Sequence, residues 1–295
     1  MTEHPIRSRL ALIPAVVLLA GLALTGCTPE PDPAETVEAL TEVRDEPSAP
    51  DAAEELSVER MPDPIVDPLD CSPYLVLTVR GTGEPGDNQL VTPVAKLISE
   101  SRPDEVQVVD LDYPANGEVK ESATIGVRTL IDTLNVQAEA CPDQRVALLG
   151  YSQGALVIGD ALSPAETRLV GGTVGSVSEA AAERVLAIVL YGDPRFVGSK
   201  EYNVGDYDPG VNGLLPRVEG GLEAFAERIH DYCVARDFVC QSSFDLDEKG
   251  HVTYFKNGMQ QDGAAFVITR LDPPRSDGSG DADGVDETQE APDER

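Results

Sequence analysis

A chain of 295 residues with 53 acidic against 22 basic side chains carries a formal net charge of -31, which excludes nucleic acid as a partner because nothing here neutralises phosphates. Its length allows one large domain or two small ones, yet both ends are too rich in Pro, Ala, Asp and Glu to bury a core, which leaves one domain of about two hundred residues. More than half of the net charge lies in those two ends, so the acidity says little about a catalytic surface.

In chain order, Arg7 and Arg9 precede an apolar run over residues 10–24, followed by Leu24-Thr25-Gly26-Cys27. The run is short for a membrane span and reads as an export signal over residues 1–26. Its last four residues resemble a bacterial lipobox, which implies a lipid on Cys27 that anchors the protein to the outer face of the cell membrane. The plainer alternative is an ordinary signal peptide and a secreted protein. Of five cysteines, an odd number in an exported chain, lipidation of Cys27 removes one and leaves Cys71, Cys141, Cys233 and Cys240 for two disulfides. No cysteine lies at zinc-ligand spacing from histidines. Residues 27–70 read as a solvated acidic tether and residues 273–295 as an acidic tail.

Between them, residues 71–272 alternate strand-like and helix-like stretches. Short apolar runs at 74–79, 106–111, 146–149 and 185–191, rich in Val, Ile and Leu, predict strands buried on both faces. Ala123, Val127, Leu130, Leu134 and Ala138 form a helical stripe over 122–140, and further helices are expected over 221–229 and 258–271. This alternation predicts an α/β fold, a mostly parallel sheet with helices on both faces, in which sites form at the carboxyl ends of the strands.

One such end carries Gly150-Tyr151-Ser152-Gln153-Gly154. Five letters alone are weak, but the apolar strand before them and the helix-like Ala155-Leu156-Val157-Ile158 after them supply the context of a nucleophile elbow. A serine hydroxyl needs a base to take its proton and a third group to orient that base. Of three histidines, His4 lies in the export signal and His230 ends a predicted helix, where a structural role is expected. His251 follows a polar loop and precedes the last helix, which fits the chain order nucleophile, acid, base. Two residues compete for the acid: Asp193 at a strand end, which also suits a turn, and Asp237 between Cys233 and Cys240, which also suits an exposed carboxylate paired with Arg236.

The region from Cys71 to Leu271 resembles the cutinases, including the cutinase-like esterases of actinobacteria. The resemblance rests on Cys71, Arg80-Gly81-Thr82-Gly83-Glu84-Pro85-Gly86, Cys141, Gly150-Tyr151-Ser152-Gln153-Gly154, Gly192-Asp193-Pro194, the Cys-x3-Asp-x2-Cys element and His251-Val252-Thr253-Tyr254. It implies an α/β-hydrolase-like domain over 71–272 with Ser152 as nucleophile, Asp237 as acid and His251 as base. It also implies an oxyanion hole from the N–H groups of Thr82 and Gln153, and disulfides Cys71–Cys141 and Cys233–Cys240. The family often has serine at the Thr82 position, so threonine keeps the hydroxyl and adds a methyl. The implied activity is hydrolysis of carboxylic esters of short to medium acyl chains, lipid esters among them, by a monomer without metal or organic cofactor. An envelope acyltransferase shares the same acyl-enzyme, phospholipase or thioesterase activity is a further alternative, and a non-catalytic surface lipoprotein is the third reading. Leu214 and Leu215 either form an apolar rim for an acyl chain or pack beneath their loop.

Overall fold

The four apolar runs become four adjacent strands of a six-stranded, wholly parallel sheet in a computed structural model that describes residues 33–45, 49–242 and 248–273; the run at 106–111, expected to be buried on both faces, lies at the sheet edge and is half-exposed. In chain order, helices α1 (Pro33–Asp45) and α2 (Asp51–Glu55) precede β1 (Tyr74–Val79), α3 (Thr92–Ser101), β2 (Val106–Asp110), α4 (Val119–Ala140), β3 (Arg145–Tyr151) and α5 (Gln153–Leu162). Then come α6 (Glu179–Arg184), β4 (Val185–Tyr191), β5 (Asn203–Val204), β6 (Ile229–Tyr232), α7 (Glu248–His251) and α8 (Met259–Ile268). Every residue of β1 and β4 is buried, as continuous apolar strands in a two-sided sheet require. Residues of α4, α5 and α6 pack on one face of the sheet, and those of α3 and α8 on the other.

The strand order β2-β1-β3-β4-β6-β5 reverses direction at β1. The chain leaves β1 toward β2 and returns to β3 on the other side, so the loops after β1 and β3 part at a switch point. There Val79 pairs with Gly150, which sets the Arg80–Gly86 loop beside Ser152.

The expected helix over 221–229 is a 3-10 turn, Glu223–Arg228, running into β6. Leu222, Phe225 and Ile229 are buried, but Ile229 pairs with Ile188 of β4 and draws the end of the segment into the sheet. His230 therefore sits on a strand.

The tether reading also needs correction. Residues 51–69 lie along α4, whose polar face hydrogen-bonds their backbone. Glu121 accepts from Ala52 N–H (3.1 and 3.0 Å), Asp132 from Ile65 N–H (2.9 Å) and Gln137 from Leu69 N–H (2.8 Å). Arg128, buried within α4, donates to the carbonyls of Leu56 (3.0 Å), Met61 (3.0 Å) and Asp63 (2.8 Å) while pairing with Asp132 at 2.6 Å. Leu40 and Val43 of α1 are buried against the same core. The strap ends at the Cys71–Cys141 disulfide, which ties the chain before β1 to the end of α4. Cys27 and the tail beyond Pro273 lie outside the described residues. Among the described residues no helix is long and apolar enough to cross a membrane.

Candidate active site

Ser152 stands between β3 and α5 at φ +53°, a left-handed conformation that is strained for any residue with a side chain. The surrounding packing enforces it. Ser152 N–H donates to Tyr191 O across the β3–β4 edge (2.9 Å), and a Cβ on Gly154 would lie 1.9 Å from Val79 O, so only glycine lets α5 start this close to β1. The turn lifts the serine hydroxyl to 3.0 Å from His251 Nε2.

His251 closes the short helix α7, and most of the polar loop before it lies outside the described residues. Its Nδ1 is 2.9 and 3.0 Å from the two oxygens of Asp237. A carboxylate only accepts, so Nδ1 carries the proton and Nε2 is left to accept from Ser152. Ser152 and His251 are each 5% exposed and Asp237 is fully buried. Burial by itself would raise the Asp237 pKa, but the neighbouring His251 and the hydrogen bonds from His251, Tyr254 and Val239 outweigh it and hold the carboxyl below its ordinary range.

The competing residues have other partners. Asp193 is buried, accepts from Arg195 N–H (2.8 Å) and pairs with Arg217 (2.8 Å). That pair adjoins a second, Arg195 with Asp160 (2.6 Å). Gly192 before it, at φ +58°, could carry no Cβ without lying 2.7 Å from His251 Cε1 and 2.9 Å from Asp237 Oδ2. The Gly-Asp-Pro element thus makes room for the His–Asp pair and anchors a buried ion network. His230 stacks on Phe266 at 3.6 Å and meets the Tyr232 hydroxyl at 3.1 Å, with burial pushing its pKa down.

The loop after β1 is held from three sides. Glu84 accepts from the N–H groups of Gly81 (2.6 Å) and Leu90 (2.7 Å), and Ala115 O accepts from Gly83 N–H (2.8 Å). The Tyr151 ring lies under Gly81, 2.7 Å from where a Cβ would sit. Thr82 is the turn between these anchors. Gln153 begins α5, so its N–H lacks an intrahelical acceptor; its side chain accepts from Ser122 and donates to Asn116 O, both at 3.1 Å. Glu84 is largely buried, and burial pushes its pKa up against the opposing pull of Gly81 and Leu90 N–H, His251 and Arg80. Both disulfides are formed as expected. Leu215 is buried in the core and Leu214 packs against it, so the loop leucines lie beneath their loop.

Several site residues escaped sequence reasoning. Tyr151, Tyr254, Glu84 and Gly192 all stand inside the quoted motifs, but their tasks arise from contacts distant in sequence. Asp231 gave no signal at all. It is fully buried on β6, and among the described residues neither carboxyl oxygen has a hydrogen-bond partner. Burial first, then the charges of Asp193 and Asp237, push its pKa well up against the opposing pull of Arg217. Above the ordinary carboxylate range the unfolded chain has lost this proton while the folded chain retains it, so the residue costs stability as pH rises. Asp231→Asn is therefore expected to raise the melting temperature at about pH 8 by more than at about pH 4; an equal change at both pH values would show that Asp231 holds no extra proton.

The cutinase family matches residues 70–271. A protein named cutinase from Kineococcus radiotolerans is 33% identical over 200 residues, covering 67% of this chain and 61% of its own length. Carboxylesterase Culp1 of Mycobacterium tuberculosis is 28% identical over 208 residues, covering 68% of this chain and 83% of its own. The catalytic core of acetyl xylan esterase from Trichoderma reesei superposes with a TM-score of 0.59 at 26% identity, covering 68% of this chain and all of that domain. A match over most of the chain, with an all-parallel sheet and a serine at its switch point, assigns the chain to the cutinase family of carboxylic ester hydrolases.

Proposed function

We propose that Ser152, His251 and Asp237 hydrolyse carboxylic esters of short to medium acyl chains through an acyl-enzyme. The observation that carries this reading is the unbroken line from the Ser152 hydroxyl to His251 Nε2 (3.0 Å) and from Nδ1 to Asp237 (2.9 Å), set on a strained elbow. His251 takes the Ser152 proton as the oxygen attacks the ester carbonyl, and Asp237 orients the imidazole and stabilises its charged form. The N–H groups of Thr82 and Gln153 meet the developing oxyanion. His251 returns the proton to the departing alcohol, then activates the water that releases the acid and restores Ser152.

The buttressing of Thr82 supports its part, because a donor held before the reaction needs no reorganisation during it. A nearly buried serine and histidine favour a slim acyl chain, in keeping with an acetyl-ester name among the relatives. The test is turnover of nitrophenyl esters from acetate to palmitate, with mass spectrometry of the residue labelled by a fluorophosphonate. Labelling at Ser152 with a short- to medium-chain optimum is expected. A palmitate optimum would move the substrate class to long-chain lipid esters, transfer to an added alcohol in preference to water would make it an acyltransferase, and no labelling would end the hydrolase reading.

A further inference from the structure

Asp237 is fully buried, so its lone pairs are satisfied by the groups packed around it. Oδ1 accepts from the N–H groups of Val239 (2.8 Å) and Cys240 (3.3 Å). Oδ2, beyond its contact with the imidazole, accepts from the Tyr254 hydroxyl at 2.6 Å. Tyr254 sits on the 3-10 turn Thr253–Phe255, three residues after His251, so one short segment carries both the base and a donor to the base's partner. Its ring is fully buried, tilted against Tyr191 at 5.6 Å, and its hydroxyl is 3.5 Å from Cys240 Sγ. The phenol is thus fixed by packing before it meets the carboxylate.

We propose that Tyr254 is a positioning residue of the triad, its hydroxyl fixing the Asp237 carboxylate against His251 Nδ1 and sharing its negative charge. The catalytic part of this inference rests on the ester-hydrolase reading; the hydrogen bond itself does not. Burial and the charge on Asp237 push the Tyr254 pKa well above its ordinary value, so the hydroxyl remains a donor throughout the working range. Charged and titratable groups face the pair from the neighbouring elements: Asp231 of β6, Glu84 after β1 and Tyr151 of β3, while Asp193 after β4 and its partner Arg217 act on Asp231. Asp231 keeps its proton beside Asp237, so Asp237 is the ionised carboxyl of the two, and losing the phenol donor leaves it harder to keep ionised. Proton uptake by Asp237 then moves to higher pH.

Tyr254→Phe keeps the ring and removes the donor. In the full chain the expected result is a fall in kcat of about tenfold with KM little changed, together with an acid limb of the kcat profile displaced to higher pH. The low-field proton resonance of His251 Nδ1–H should shift between wild type and variant. Should Tyr254→Phe not fold, 3-fluorotyrosine placed at position 254 donates more strongly and should displace the acid limb the opposite way. A folded Tyr254→Phe protein with unchanged kcat, acid limb and resonance would overturn the proposal, as would an unmoved acid limb with fluorotyrosine. Should wild type show no Ser152-dependent turnover, the hydrolase reading fails by itself, and the resonance still decides whether Tyr254 positions Asp237.

Discussion

Asp237→Asn is expected to lower kcat by about 10⁴-fold while leaving the fold in place, because an amide in this position favours the wrong imidazole tautomer. Because His251 Nδ1 lies 2.9 and 3.0 Å from the two carboxyl oxygens, either orientation of the amide sets an N–H₂ donor beside it. That favours the tautomer with the proton on Nε2, which then cannot accept from Ser152. Asp193→Asn makes the opposite prediction. It leaves the Arg217 guanidinium, 3% exposed, without its ion pair, which costs about 3–5 kcal/mol of stability but little turnover per folded molecule. The pair of variants separates the two acids. Hydrolysis rates normalised by fluorophosphonate titration, alongside urea unfolding, would measure both effects. An Asp237→Asn enzyme within tenfold of wild type would remove Asp237 from the orienting role.

The two aspartates also show where sequence reasoning stopped. Asp193 follows a strand-like stretch and Asp237 lies between two nearby cysteines, and local pattern cannot tell a carboxylate that faces a histidine from one that faces an arginine 24 positions away. Family resemblance named Asp237; its physical reason is the closed Cys233–Cys240 loop and four donors converging on one buried carboxyl. The elbow was legible because its signal is local, an apolar strand, a serine between two glycines and a helix start, although the Val79 O that forces Gly154 lies on β1, far back in the chain. The central strands were legible because burial on both faces leaves only apolar side chains. β6 was not, since His230 and Asp231 interrupt its apolar run and its place is set by pairing with β4. Residues 51–69 were misread because their composition is that of a solvated segment, while their backbone partners are side chains of α4 far along the chain.

Those partners give the strap a measurable weight. Arg128→Met in the full chain is expected to cost about 3–5 kcal/mol, because it orphans the carbonyls of Leu56, Met61 and Asp63 and leaves Asp132, 7% exposed, without its counter-ion. In a chain that starts at Cys71 the strap is gone and Arg128 faces water, so the same substitution should change stability by no more than about 0.5 kcal/mol. The truncation itself should be destabilising, since Leu56 and Leu69 leave the core they pack against. Urea unfolding of the four proteins reads the coupling directly. An equal cost of Arg128→Met in both lengths would mean that Arg128 acts within α4 alone. If the short chain does not fold, limited proteolysis takes over: Arg128→Met in the full chain should open residues 51–69 to cleavage, whereas protection equal to wild type would show that the strap is held without the guanidinium. Such a coupling would place residues 51–69 within the folded domain, with the nucleophile elbow and the strap sharing the same helical layer over β1 and β3.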